Sequence, residues 1–278
     1  MRQKLKNKLN YHQIIKHYLI EKDLAYKLRN SNKEERRALY AALYDELFLK
    51  IPYHPLLVHR SDPDFIKKNN NKLKLLKFFL KKKYLLLEIG AGDCSLAKLL
   101  CKYVRKVYAI EISKKIIADL KIPVNFELII SDGIDIPIPN KLINLAFTFQ
   151  VIEHLHPDDA IEHLENIYRV IVPEGVYICN TPNRLYGPHD ISKYFDKTAK
   201  GFHLKEYTIT ELSKLFKLVG FSKVKIIINL KFTLILVPVR FLKPFELILD
   251  IIPQPYRKRI IKNTPLRYIL GINMAAIK

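Results

Sequence analysis

Two carboxylates, Glu88 and Glu111, each close a short apolar run, in "YLLLEIGAGDC" and in "VYAIEIS". A carboxylate at the end of a run that otherwise favours burial belongs at the carboxyl end of a strand, where it faces a ligand instead of the core. Gly90 and Gly92 follow Glu88 and supply a tight turn over which the backbone can approach a small molecule. Glu111 lies 21 residues after Gly90 (111 − 90), the separation at which a carboxylate grips ribose hydroxyls. A dinucleotide fits that spacing, but the third glycine of the NAD fingerprint would fall at Ser95, and NAD leaves Glu88 without a role.

Candidate proton-handling groups follow later strand ends. "VIEHLHPDD" carries Glu153, His154 and His156, "NRLYGPHDISKYFD" carries His189 and Asp190, and "GFHLKEYT" carries His203. Histidine titrates near neutrality and suits general base work. His154 and His203 are the catalytic candidates, set against the plainer reading that a loop histidine is structural. Glu153, His154 and His156 are too close in sequence to make a preformed metal site unaided, and no metal is expected.

These residues need a scaffold that brings strand ends together. From Leu85 onward short apolar runs alternate with helical patterns, the signal for a parallel sheet with crossover helices. Strands are expected near 85–89, 106–111, 126–131, 142–149, 175–181 and 223–229, with helices near 94–102, 113–120, 158–170 and 208–219. Gly220 closes the last helix, and "GINMAAIK" forms a final short strand at the sheet edge. Upstream, 11–50 reads as helix broken at "NSNKEERR", with Ser31 as N-cap and Glu34 three residues on. "IPYHPLLVHRSDPDF" is an irregular, proline-broken connector, and "NNNKLKLLKFFLKKK" is an amphipathic lead-in helix.

Four stretches in order, "LEIGAGDC", "AIEIS", "SDGIDIPI" and "FTFQVIEHLHPDD", resemble class I S-adenosylmethionine-dependent methyltransferases, over about 85–229 plus the terminal strand. The resemblance implies an α/β, Rossmann-like, doubly wound seven-stranded sheet with an antiparallel last strand. Residues 1–83 then form a basic helical N-terminal extension, and 84–278 the methyltransferase domain with an insert at 230–270. It further implies that Glu88, Gly90 and Gly92 hold the methionine moiety of S-adenosylmethionine, Glu111 the ribose, and Asp132 with Gly133 the adenine amino group, while Gln150 approaches the methionine part. The family's third glycine stands here as Cys94.

Composition bounds the partners. The formal net charge is +21, with Lys+Arg against Asp+Glu at 21 to 8 over residues 1–84, 18 to 17 over 85–229 and 9 to 2 over 230–278. Basic flanks fit nucleic acid, an anionic membrane or an acidic substrate, or only a lysine-rich coding bias. Cys94, Cys101 and Cys179 show no CxxC spacing, and "MRQKLKNKLNYHQ" lacks an apolar signal core, so the expected compartment is the cytoplasm. The insert 230–262 is apolar and basic; Phe241, Phe245, Ile248, Leu249 and Ile252 make one helix face followed by "YRKR", which suits a peripheral membrane contact or packing on the domain or a second subunit. The expected acceptor is a small or lipid-linked molecule methylated at oxygen, in keeping with a likeness to quinone and sugar methyltransferases. RNA methylation is the enzyme alternative, although "FQVI" stands where base methyltransferases carry "NPPY" or "DPPY". A non-catalytic scaffold with a degenerate fold is the alternative from another class.

Overall fold

The alternation of apolar runs and helices produces one mixed sheet. The computed structural model describes residues 9–58, 63–117, 122–229 and 233–278. Its strands are β1 (Leu85–Ile89), β2 (Lys106–Glu111), β3 (Phe126–Ile130), β4 (Ile143–Phe149), β5 (Ile171–Thr181), β6 (Lys223–Asn229), β7 (Leu234–Pro238) and β8 (Ile272–Ile277). They are ordered β3-β2-β1-β4-β5-β8-β6-β7. The first five pair in parallel, and β8 runs antiparallel between β5 and β6.

Strand order reverses between β1 and β4. The chain leaves β1 toward β2 on one side and returns to β4 on the other, so the loops after these strands diverge and open a crevice at their carboxyl ends.

Helices flank the sheet: α1 (Tyr11–Asn30), α2 (Lys33–Lys50), α3 (Pro55–Val58), α4 (Pro63–Lys77), α5 (Ser95–Leu100), α6 (Pro157–Val170), α7 (Ile209–Leu218), α8 (Lys243–Ile251), α9 (Gln254–Asn263) and α10 (Leu266–Leu270). None of the described helices is long and apolar enough to cross a membrane.

The expected doubly wound architecture stands, with differences in detail. The terminal strand is not at the sheet edge: Met274, Ala275 and Ala276 are fully or nearly fully buried, and small apolar residues on both faces suit an interior position. The edge belongs to β7, an eighth strand inside the expected insert, which folds back on β6 as a hairpin. The break in the N-terminal helix is capped one residue later than expected, by Asn32 in a reciprocal pair with Glu35. The lead-in helix starts at Pro63, before the expected 69–83 stretch, since proline is well suited to a first helical turn. Of the helix expected over 113–120, a 3-10 turn at Lys114–Ile116 is seen, and its C-terminal part lies outside the described residues. Gly220, at φ +111°, closes α7 as expected.

The N-terminal helices share one core with the sheet: Leu24, Leu28, Leu43 and Leu47 pack in the same cluster as Leu87, Ile89 and Ile110. Polar ties reinforce the contact. Arg36 donates from Nε and Nη2 to both oxygens of Asp159 on α6 at 2.6 and 2.8 Å, and the Tyr40 hydroxyl donates to the same carboxylate at 2.8 Å while accepting from the His156 N–H. Arg29 donates to the carbonyls of Lys200, Gly201 and His203. Part of the basic charge of the extension thus serves internal contacts.

Candidate cofactor and acceptor site

A cavity of about 350 Å³ opens at the carboxyl ends of β1, β2 and β4, within the size range of small-molecule sites. Glu88, Gly90, Gly92, Glu111, Asp132, Gly133, Gln150 and His154 all line it. The switch point therefore gathers every expected cofactor residue and one of the two expected catalytic histidines.

The glycines have distinct reasons to be glycine. Both have positive φ, +73° at Gly90 and +58° at Gly92. A Cβ at Gly90 would stand 2.4 Å from Val151 Cγ2, whereas one at Gly92 would meet nothing within 4 Å. Gly90 thus permits close packing of the turn on the β4 loop, and Gly92 leaves free space beside the cavity. Cys94 adopts φ 58° at the helix entry, so the residue standing for the family's third glycine keeps a glycine-like backbone. All three cysteines are free and buried, and burial lifts their thiols to about 11 or 12, which makes them packing groups.

Glu111 organises the turn. Its Oε2 accepts the Gly92 N–H at 2.7 Å, and its Oε1 accepts those of Ile112 and Ser113. About one of the four acceptor positions of a carboxylate is then left for a ligand. Burial raises Glu111, and those three donors oppose the rise. Glu88 is less well satisfied: its Oε2 is buried without a hydrogen-bond partner, and burial pushes the carboxyl up to about 8, partly opposed by Lys72 of α4. An orphaned acid of this kind fits a cationic ligand group.

Asp132 accepts the N–H groups of Ile134 and Asp135 on Oδ1 and Arg37 of α2 on Oδ2 at 2.9 Å. The Gly133 carbonyl accepts from Nδ1 of buried His163 at 2.6 Å, which anchors this loop to α6. Gln150 takes a positive φ of 61° and donates from its side-chain nitrogen to Asn180.

Part of the remaining lining comes from the basic helical extension, to which the sequence assigns no place in the site. Glu21, Tyr40, Tyr44, His54, Asn69 and Lys72 reach the cavity from the N-terminal extension, and Phe202 from the loop after β5. Tyr44 stacks on Phe202 at 5.0 Å with 12° between planes, and its ring meets His154 at 6.2 Å. Sequence offered little to find them: the i,i+4 spacing of His17 and Glu21 on α1 was the available hint, while Tyr44 looks like any core aromatic.

The proton-handling candidates separate. His154 donates from Nδ1 to the Phe202 carbonyl at 3.0 Å, which fixes the tautomer and leaves Nε2 as acceptor. Burial, reinforced by His203, pushes it down to about 3, so the ring is neutral at neutral pH. His203 does not line the cavity. It stands behind His154, ring centroids 4.9 Å apart and nearly perpendicular, with Nδ1 2.7 Å from Glu206. Burial alone would lower His203, but the Glu206 contact and the charges of Glu153 and Asp190 raise it. His156 caps α6, His189 bonds the Asn183 carbonyl, and Asp190 accepts the N–H groups of Ser192 and Gly201. Those three are structural.

Among the described residues, two groups have the donor types and proximity to hold a cation: Glu153, His154 and His203, and separately His17, Glu21 and His54. The EHLH stretch thus contributes Glu153 and His154 to such a group, and the third donor is His203 instead of His156.

Residues 87–179 match the family model described as "Methyltransferase domain". This chain carries a class I S-adenosylmethionine-dependent methyltransferase domain. It is 28% identical over 137 residues to a probable S-adenosylmethionine-dependent methyltransferase of Mycolicibacterium smegmatis, covering 49% of this chain and 51% of the relative. A probable S-adenosylmethionine-dependent methyltransferase of Mycobacterium tuberculosis is 28% identical over 139 residues, 50% of this chain and 48% of the relative. The aligned part of the chain spans about half the length of these curated relatives. Among solved structures, an S-adenosylmethionine-dependent methyltransferase from Archaeoglobus fulgidus shares the fold at TM-score 0.51 and 17% identity, over 76% of this chain and 94% of that one. Phosphoethanolamine N-methyltransferase 1 of Haemonchus contortus, solved with phosphoethanolamine and S-adenosylhomocysteine, does so at TM-score 0.53 and 15% identity, over 68% of this chain and 41% of that one. S-adenosylmethionine is accordingly the cofactor of this methyltransferase domain.

Proposed function

We propose that this chain transfers the methyl group of S-adenosylmethionine to a small-molecule or lipid-linked acceptor at an oxygen atom. The observation that carries this reading is that one cavity joins the strand-end carboxylates to the tautomer-fixed His154. The cofactor fits the residues present: buried Glu88 Oε2 lacks a partner, as suits the ammonium of the methionine moiety, and the space at Gly92 admits close approach. Gly90 shapes that turn, Glu111 takes the ribose on its remaining acceptor position, Asp132 with Gly133 borders the adenine, and Gln150 adjoins the methionine part.

When bound, the cofactor supplies an already activated sulfonium methyl. The chain's own task is then mainly orientation, which can contribute about 7 kcal/mol or more. Tyr44, Phe202 and Phe149 exclude water from the acceptor side. Nε2 of His154 accepts the acceptor's hydroxyl proton as the methyl group transfers, and His203, held by Glu206, packs edge-on behind that ring and positions it.

Calorimetric titration with S-adenosylmethionine and, separately, NAD tests the first half. Binding of the sulfonium cofactor alone is expected; binding of neither favours a scaffold. His154→Gln is then expected to leave cofactor affinity unchanged and lower kcat on the order of a hundredfold in a screen of lipid, quinone, sugar and RNA hydroxyls. Turnover of RNA alone would replace the small-molecule reading.

A further inference from the structure

Helix α8 sits inside out. Its inward side buries Glu246, whose Oε1 accepts the Ile209 N–H at 2.8 Å and whose Oε2 accepts the Thr210 N–H and hydroxyl at 2.8 and 2.6 Å. One turn on, Asp250 is held by Arg184 at 3.1 Å and Arg257 at 2.9 Å. The outward side is apolar: Phe245, Leu247, Ile248 and Ile251 are exposed, Ile251 by 84% and Ile248 by 61%, with Phe241 just before the helix and Tyr256 on α9 just after. At 100° per residue the four α8 side chains fall within an arc of about 160°. An ordinary surface helix has the reverse polarity. A helix that buries its carboxylate and turns isoleucines outward is built to meet an apolar medium.

We infer that the outer face of α8 and α9 is a docking surface for an anionic lipid bilayer, an inference that goes beyond methyl transfer and does not depend on it. Charge selects this occupant over a second copy of the chain. Residues 230–278 hold nine Lys+Arg and two Asp+Glu, and the two acids are Glu246 and Asp250, both already engaged by the protein. Arg240 and Lys243 flank Phe241 at the entry to α8, and Arg259 and Lys262 are exposed on α9. Two such faces brought together would set like charges against each other, whereas anionic headgroups complement them. At nine residues α8 is too short to span a bilayer, so it lies in the interface plane with its aromatic and aliphatic side chains among the acyl chains.

Flotation of the full chain with vesicles of phosphatidylcholine alone, and of phosphatidylcholine mixed with phosphatidylglycerol, across a salt series tests this. Binding to the mixed vesicles is expected, weakened but not abolished by salt. F245S/I248S/I251S should lower the partition coefficient on the order of a hundredfold or more, and R259Q/K262Q should lower it about fivefold per charge and flatten the salt dependence. Calorimetric titration of each protein with S-adenosylmethionine reports separately on the methyl-transfer reading, and thermal melts show that each variant is folded. The charge variant, which removes no packing, tests the surface should the apolar variant not fold. Absence of the wild type from mixed vesicles, binding indifferent to both variants, or a concentration-dependent dimer abolished by the apolar substitutions would each overturn the inference.

Discussion

Glu88, Gly90 and Gly92 lie within five residues of one another, and Glu111 ends the adjacent strand, paired in register with β1. Tyr44, His54, His154 and Phe202, by contrast, reach the same cavity from a helix of the N-terminal extension, the connector after it and the loops after β4 and β5. The first group is positioned by one strand–turn–helix unit and its neighbour, so its geometry follows from local backbone conformation and ladder hydrogen bonds. The second exists only once α1 and α2 have docked on the sheet, an event that rests on packing and on a few buried polar ties. The difference teaches that the cofactor side can keep its form while the acceptor side is loosened or remodelled.

The largest expected effect comes from severing the dock. Arg36→Ala leaves the Asp159 carboxylate buried without its guanidinium and should cost about 3–5 kcal/mol in urea unfolding. Arg36 and Tyr40 hold Asp159 below the usual carboxylate range despite its burial, so their stabilisation is full above about pH 4 and fades as acid protonates the group. The gap between wild type and variant should narrow in acid, and a cost below about 1 kcal/mol at neutral pH would show that apolar packing alone holds the extension.

On the cofactor side, Glu111→Ala removes the acceptor of three backbone N–H groups together with the proposed ribose contact. Affinity for S-adenosylmethionine should fall on the order of a hundredfold or more, about 2.7 kcal/mol or more. Unchanged affinity by calorimetry would remove Glu111 from the site.

The two glycines divide turn from ligand space. Gly90→Ala should destabilise the fold by about 2–3 kcal/mol through the Val151 clash and the positive φ. Gly92→Ala should cost only about 1 kcal/mol of stability yet weaken cofactor binding, because its methyl enters space that the protein leaves open. Equal stability losses in thermal melts would contradict the distinction.

The smallest effect is a pH dependence. Burial holds Glu88 largely protonated up to about pH 8, whereas an ammonium ligand requires the carboxylate, so binding must release a proton. Affinity should therefore rise with pH, by at most about tenfold per unit, and level off above about pH 8. Titrations in buffers of different ionisation enthalpy would register the released proton, and Glu88→Gln should abolish both the slope and the release.

Much of the cofactor half was legible because strand-end carboxylates and turn glycines are local signals whose meaning does not depend on distant partners. Glu88, Glu111, Gly133 and Gln150 all stand where strand boundaries place them. The departures have physical causes too. β8 is expected at the edge, but its small buried residues fit between two strands. β7 lies in the insert expected at 230–270, where its run of Leu, Ile and Val pairs with β6. His203 shares a strand-end loop with cavity residues, yet its side chain turns back to Glu206 because the carboxylate compensates its burial better than the cavity does.

By itself the sequence determined the alternating α/β plan, the switch-point turn and the acidic character of the cofactor side, since periodicity, glycine conformation and strand-end charge act over a few residues. Tertiary structure alone decided which faces of the basic flanks become internal. Arg36 closes on Asp159 across 123 positions of chain, Tyr44 stacks on Phe202, and α8 hides Glu246 while exposing Ile251. Such pairings carry no local signature, because their energy comes from contacts that exist only after the chain has folded over itself.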